Sequence, residues 1–172
     1  TAIVRGFAAV GKSWKGWVYQ YPGALGPIPE LAENANAVGM MVIAPEKDGV
    51  VRRMPLVIAV NDELYPSISL EVLRMAAGDI SYQIKTGIAV VEKVRIPKFK
   101  TIETDVHGNI WLDFKWKTPT YALHEELPDL TDKIVIVSMT ASGLDSPVPT
   151  PVGVIHSHDL IGASLATMMT GR

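Results

Sequence analysis

One uninterrupted stretch, DGVVRRMPLVIAVNDELYPSISLEVLRMAAG from Asp48 to Gly78, constrains the fold more than any other part of the chain. It opens on Asp48-Gly49, a tight-turn pair: Gly takes positive φ without a steric penalty, and Asp bonds its own backbone. Val50 to Val60 is dense in β-branched residues and reads as one long strand. Asn61-Asp62-Glu63 ends that strand. Pro66 suits a first helical position, and Ser67 and Ser69 are placed to satisfy free N–H groups. Ile68, Val72, Leu73 and Ala76 then recur at helical spacing, an apolar stripe that must lie on the preceding strands. Turn, strand, turn and capped helix in direct succession predict an α/β domain.

The rest of the chain supplies further strands. Residues 3–10 and 17–21 read as two short ones, followed by a loop at Tyr21 to Pro29 and a short helix over Pro29 to Ala37. Val38 to Ala44 is continuously apolar and predicts a buried strand, paired with the Val50 strand across the Asp48-Gly49 turn. Residues 88–96 and 99–106 are two strand candidates around Pro97, and His107-Gly108-Asn109 marks another hairpin turn. Ile110 to Trp116 alternates apolar and polar residues more clearly than any other segment. Tyr121 to Leu127 predicts a short helix stopped by Pro128. KIVIVSMT at 133–140 is nearly unbroken Ile and Val and predicts a central strand covered on both faces. A last helix, or a strand and helix, runs from Gly153 to Met169. The expected architecture is a single α/β domain over residues 1–172, with a mixed sheet of about seven strands and three or four helices.

Composition narrows the function classes. A net charge of −2, from 16 basic and 18 acidic residues, gives no field that would gather nucleic acid or an anionic membrane. The basic run Lys93, Arg95, Lys98 and Lys100 beside Phe99 therefore reads as protection of an edge strand. The absence of cysteine removes disulfides, thiolate metal sites and a cysteine nucleophile. The most apolar long stretch, Val152 to Met169, is interrupted by His156, His158 and Asp159, which excludes a transmembrane helix there. A start in strand-like sequence without an initiator Met is the expectation for a piece excised from a longer polypeptide.

Catalytic signatures are sparse. GFAAVGKS at 6–13 fits a phosphate-loop pattern literally, but a buried strand before it and a long helix after it are missing, so the match is read as chance. His156 and His158 beside Asp159 lack a third ligand at zinc spacing, and a hydrogen-bonded structural histidine is the expectation. No cofactor is called for. The loop after the expected central strand is the most site-like place: Thr140, Ser142 and the Gly143 backbone form either an anion nest or a plain crossover loop, with Asp145 as ligand group or turn former. Arg52 and Arg53 are adjacent, so in a strand one faces each side. An inward guanidinium requires a carboxylate such as Glu71 or Asp145, or a bound anion.

DGVVRRMPL at 48–56, YPSISLE at 65–71, KIVIVSMTASGLD at 133–145 followed by Thr150-Pro151, and GVIHSH at 153–158 stand in order at compatible spacing. Together they resemble the CHASE2 domain, an extracytoplasmic sensory module of bacterial transmembrane receptors. The resemblance runs from about Pro29 to Met169 and weakens between residues 79 and 120, and Asp132 and Ser138 stand where glycines are usual. It implies a noncatalytic sensor held by a membrane anchor and feeding a cytoplasmic adenylate cyclase, histidine kinase, diguanylate cyclase or protein kinase. It also implies an unidentified small ligand, no nucleic-acid partner, and a sheet edge that a second copy would cover. Arg52, Arg53, Ser67, Glu71 and His156 match motif positions. With Thr140, Ser142 and Asp145 they form the candidate ligand-binding set. Two rival readings stand beside the sensor: a small hydrolase-type enzyme with Ser142, Asp145 and His156 as first suspects, and a dimerisation or partner-binding module.

Overall fold

The computed structural model describes residues 7–88 and 90–171. It is an α/β fold with short strands β1 (Phe7–Gly11), β2 (Gln20–Tyr21), β3 (Arg53–Pro55), β4 (Val57–Val60), β5 (Glu63–Pro66), β6 (Tyr82–Thr86), β7 (Val91–Ile96), β8 (Lys100–Glu103), β9 (Asn109–Trp111), β10 (Val148–Thr150) and β11 (Gly153–Ile155). The helices among the described residues are α1 (Pro29–Asn34), α2 (Ile68–Ala76) and α3 (Ser157–Thr170). In place of one sheet of about seven strands there are, among the described residues, four smaller ones. The largest has the order β1-β6-β7-β8, and the others are β2-β4-β5, β3-β9 and β10-β11. β1 lies parallel to β6, whereas the β6-β7 and β7-β8 pairs are antiparallel. Residues 3–6 of the expected first strand lie outside the described residues, as does Gly6 of the phosphate-loop pattern. Phe7 to Gly11 of that pattern is strand, hydrogen-bonded to β6, and not a loop.

The Asp48 to Gly78 unit forms much as its sequence dictates, with two departures: Pro66, expected at the first helical position, instead ends β5, and the long strand is divided. The single strand expected over Val50 to Val60 is cut at Leu56 into β3 and β4, because the chain changes sheets there: β3 pairs with β9, and β4 pairs with β2 and β5. Leu56 itself donates to the Gly108 carbonyl and accepts from Ser67, so the backbone remains satisfied at the switch. Ser67 caps α2, its hydroxyl accepting from the Leu70 N–H at 3.2 Å. The buried face of α2 is centred on Leu70 and Leu73. Ala76, expected on the apolar stripe, is exposed. Glu71 is also buried, because Arg74 grips its carboxylate at 2.6 and 3.0 Å and the Tyr82 hydroxyl donates to it. Leu56, Leu70, Ile84, Val94, Ile96 and Leu160 are fully enclosed in a continuous core beneath the sheets and α2 and α3.

Four local expectations fail. Val38 to Ala44 does not form a hairpin with the following strand. Its single bridge joins Met40 to Ser67, and the close approach requires Gly39, since a Cβ there would lie 2.4 Å from the Ile68 Cα. The Asp48-Gly49 turn does form, with Gly49 at φ 78°, but it connects a loop to a loop. The turn before Asn109 also forms, yet β9 leaves it to pair with β3 instead of β8. Tyr121 to Leu127 has only a turn, and KIVIVSMT at 133–140 is irregular and largely exposed, with Val137 at 79%. A run of β-branched residues forms a ladder only where another strand offers its backbone, and none does here among the described residues.

The strands around Pro97 appear as β7 and β8, and the edge reading of the basic run holds only for its end: Lys100 lies on the outer strand β8, where its ammonium donates to the Met169 carbonyl near the end of α3, whereas Lys93 and Arg95 lie on β7, which is paired on both sides by β6 and β8. Gly153 to Met169 is β11 followed by α3.

Candidate functional site

The two adjacent arginines anchor the most heavily charged region. Arg53 opens β3 and Trp111 closes β9, opposite each other in register, and the guanidinium lies 4.8 Å from the indole centroid. Arg53 Nε donates to Glu46 Oε1 at 3.1 Å and one Nη to Asp105 Oδ2 at 2.8 Å. Arg52, just ahead of β3, donates to Glu46 Oε2 at 3.0 Å and grips both oxygens of Asp48 at 2.8 and 3.1 Å. Neither arginine therefore uses Glu71 or Asp145, the carboxylates expected from sequence. They also do not diverge to opposite faces, because the loop at 44–48 brings Glu46 between them. Sequence reasoning missed Glu46 and Asp105; Asp105, two residues before the His107-Gly108 turn, is a position where an Asp commonly organises the backbone.

Asp105 is the hub of that turn. Its Oδ1 accepts from the backbone N–H groups of His107 and Asn109, both at 2.9 Å, and the Asn109 side-chain amide donates to both carboxylate oxygens at 2.9 and 3.0 Å. Burial pushes the Asp105 carboxyl up. The Asn109 amide, these backbone donors and Arg53 together outweigh burial and hold it below its ordinary value. Asp48 is lowered to about 2, first by the Arg52 guanidinium and then by the Val50 N–H.

Asn109 is 2% exposed, and its Oδ1 has no hydrogen-bond partner among the described residues. The amide cannot be reversed to cure this, since Oδ1 would then face the Asp105 carboxylate. A buried acceptor left open costs about 1–3 kcal/mol. Asn109 lines an open cleft of about 490 Å³, together with Tyr19, Ala44, Pro45, Glu46, Lys47, Asp48 and Arg53. That volume is within the range of about 300–1,000 Å³ typical of small-molecule sites.

The remaining candidates form separate groups. Ser67 and Glu71 serve α2, as cap and as partner of Arg74. Asp145 receives the Ser157 hydroxyl at 2.7 Å and His156 Nδ1 at 2.6 Å, so the imidazole carries its proton on Nδ1 and the carboxyl is held below its usual range, first by Ser157 and then by His156. His156 heads α3, where its N–H reaches Asp159 at 3.4 Å, and its ring stacks on His158. Of the three residues suspected of hydrolysis, Asp145 and His156 meet. Ser142 is exposed and bridges the backbone of Asp145, without a bond to the imidazole. Thr140 is exposed beside it. No cluster of three or more His, Asp or Glu suited to a metal occurs among the described residues.

The CHASE2 domain family model matches residues 4–171. The chain belongs to the CHASE2 family. CHASE2 is a family of extracytoplasmic, sensory, noncatalytic domains of signalling receptors, and the motifs at 48–56, 65–71, 133–145 and 153–158 lie within the matched region. No curated protein and no solved structure matches this CHASE2 chain. No helix among its described residues is long and apolar enough to cross a membrane.

Proposed function

We propose that this CHASE2 domain is the extracytoplasmic sensor of a bacterial membrane-anchored receptor, and that it controls a cytoplasmic cyclase or kinase by binding a small ligand in the cleft beside Arg53. The observation that carries the reading is the cleft itself. Its charged walls are cross-braced by Arg52, Arg53, Glu46 and Asp105, and the second Nη of Arg53 has no bond among the described residues. A ligand held there would touch both the loop at 44–48 and the β3-β9 pair, so it would favour whichever arrangement of these elements binds it more tightly. The domain would need no catalytic residue and no cofactor for this.

The test is Arg53→Ala in the full-length receptor, with cyclase or kinase output measured across growth conditions. Loss of the condition-dependent change, with the domain still folded, supports the proposal. An undiminished response sinks it.

A second reading, in which the domain joins two receptors, draws on the exposed apolar residues Val135, Val137 and Met139. Sedimentation of the chain with Val137→Asp decides it: a dimer that dissociates on this change favours the module, and a monomer throughout removes it. The Asp145–His156 contact favours the hydrolase reading to a lesser degree, and turnover abolished by His156→Ala is the result that would establish it.

A further inference from the structure

We infer that residues 134–140 are a strand that lacks only its neighbour, and that the neighbour is the same stretch of a second copy, laid antiparallel about a twofold axis at Val137. Such a contact lies outside the cleft and gives the second reading above its geometry. Three observations lead to it. No backbone–backbone hydrogen bond joins residues 134–140 to any other described residue, so a row of donors and acceptors stands open. The side chains alternate as in a strand: Ile134 and Ile136 are turned inward more than Val135, Val137 and Met139, and Ile136 packs against the core. Between Trp116 and Leu144, ten large apolar side chains are at least 40% exposed. Their exposed surface is on the order of the roughly 800 Å² that each partner gives to a standard interface.

Symmetry selects the occupant. When a segment pairs antiparallel with its own copy, each residue meets its symmetry mate, so a charge near the axis would meet its like. Residues 134–144, IVIVSMTASGL, carry no charge at all. An axis at Val137 sets Val137 opposite itself and Val135 opposite Met139 on the outer face, with Ile136 opposite Ser138 and Ile134 opposite Thr140 on the inner one. Lys133, the nearest charge on one side, then lies opposite Ala141 at the rim, far from its own copy. Val137 is the most exposed large apolar residue of the run, at 79%, and this register covers it best. Ile136 of each copy holds the paired ribbon to its own core. The outer strand β8 makes the contrast: it carries Lys100 and Glu103, charges that oppose pairing with another chain.

The chain has no cysteine, so a single introduced thiol reports on a single position. The experiment compares the unaltered 172-residue chain with Val137→Cys and Val135→Cys, both at exposed positions, by sedimentation over a range of concentrations and by oxidation with oxidised glutathione. In that oxidation a thiol from each copy gives up its proton and an electron, one disulfide joins the copies, and the glutathione disulfide leaves as two thiols. Opposite residues of an antiparallel pair have Cα atoms about 4.5–5.5 Å apart, within disulfide reach, whereas the two copies of residue 135 would stand about 13 Å apart along the strands. The expected result is a dimer that fills with concentration and a disulfide that forms about tenfold or more faster in Val137→Cys than in Val135→Cys. Amides of 134–140, which exchange fast in the dilute single chain, should slow by about tenfold or more as the dimer fills. A dimer in which Val135→Cys crosslinks as fast, or in which those amides gain no protection, overturns the self-pairing and leaves the second reading standing. A chain that stays single even at millimolar concentration overturns both. The sensor reading is decided separately by the receptor output of Arg53→Ala.

Discussion

The region around Arg53 and the stretch from 133 to 140 make opposite use of their composition. Arg52, Arg53, Glu46, Asp48 and Asp105 are all residue types expected to be solvated, yet they are locked by short contacts into the framework of β3 and β9. Lys133 to Thr140 carries the side chains most expected to be buried, yet Val135, Val137 and Met139 are 52%, 79% and 69% exposed. Partners make the difference. A charge with a geometric counterpart is held in place, whereas an apolar strand without a neighbouring backbone has no ladder to join.

The widest separation should appear in truncations. Leu56→Ala, at a fully enclosed position, is expected to cost about 2–5 kcal/mol, and Val137→Ala to change stability by no more than about 0.5 kcal/mol, both measured by urea unfolding. A Val137 cost comparable to that of Leu56 would mean the 133–140 segment is covered in solution and would dissolve the contrast. Next in size is Asp105→Ala, which deprives Arg53, Asn109 and the turn of one shared acceptor. A loss of about 2–3 kcal/mol is expected, and a change near zero would show that the turn holds without its carboxylate.

Hydrogen exchange sharpens the comparison without mutation. The amides of β4 and β7 should be protected to the level of global unfolding, and those of 133–140 should exchange orders of magnitude faster. Slow exchange there would reveal a partner strand.

The smallest effect expected is a dependence on acid. Asp48 and Asp105 are both depressed in the folded state, so each contributes stability above its unfolded pKa and loses it as pH falls through the folded one. For Asp48 that window runs from about 4, its ordinary value, down to about 2. Urea midpoints should decline over this range in the wild type and decline less in Asp105→Asn. An identical slope in both would remove Asp105 from the account.

Much of the α2 unit was legible because its signals are local. Ser67 and the apolar positions after it require only neighbours within a few residues, and the Ser67 cap forms as its spacing implies. The pairing of the arginines was not legible. It depends on Asp105, 52 residues beyond Arg53, which reaches the site only because β9 crosses to β3. The hairpin expected at Val38 to Ala44 failed for a related reason, since Met40 found its partner at Ser67, across the chain from the adjacent turn. Of the polar candidates, Arg53 lines the cleft and Arg52 braces its wall. Ser67, Glu71, Asp145 and His156 are engaged with neighbours at two other places in the fold.

From the chain alone came the α/β class, the capped helix, the Asp48-Gly49 turn and the CHASE2 resemblance, all carried by residues close together or by ordered motifs. Tertiary structure alone decided which strands pair, which carboxylates meet which arginines, and that Asn109 is buried with one oxygen unanswered. Backbone propensity acts over a few residues, whereas strand partnership and charge pairing depend on distances between segments that only the closed fold sets.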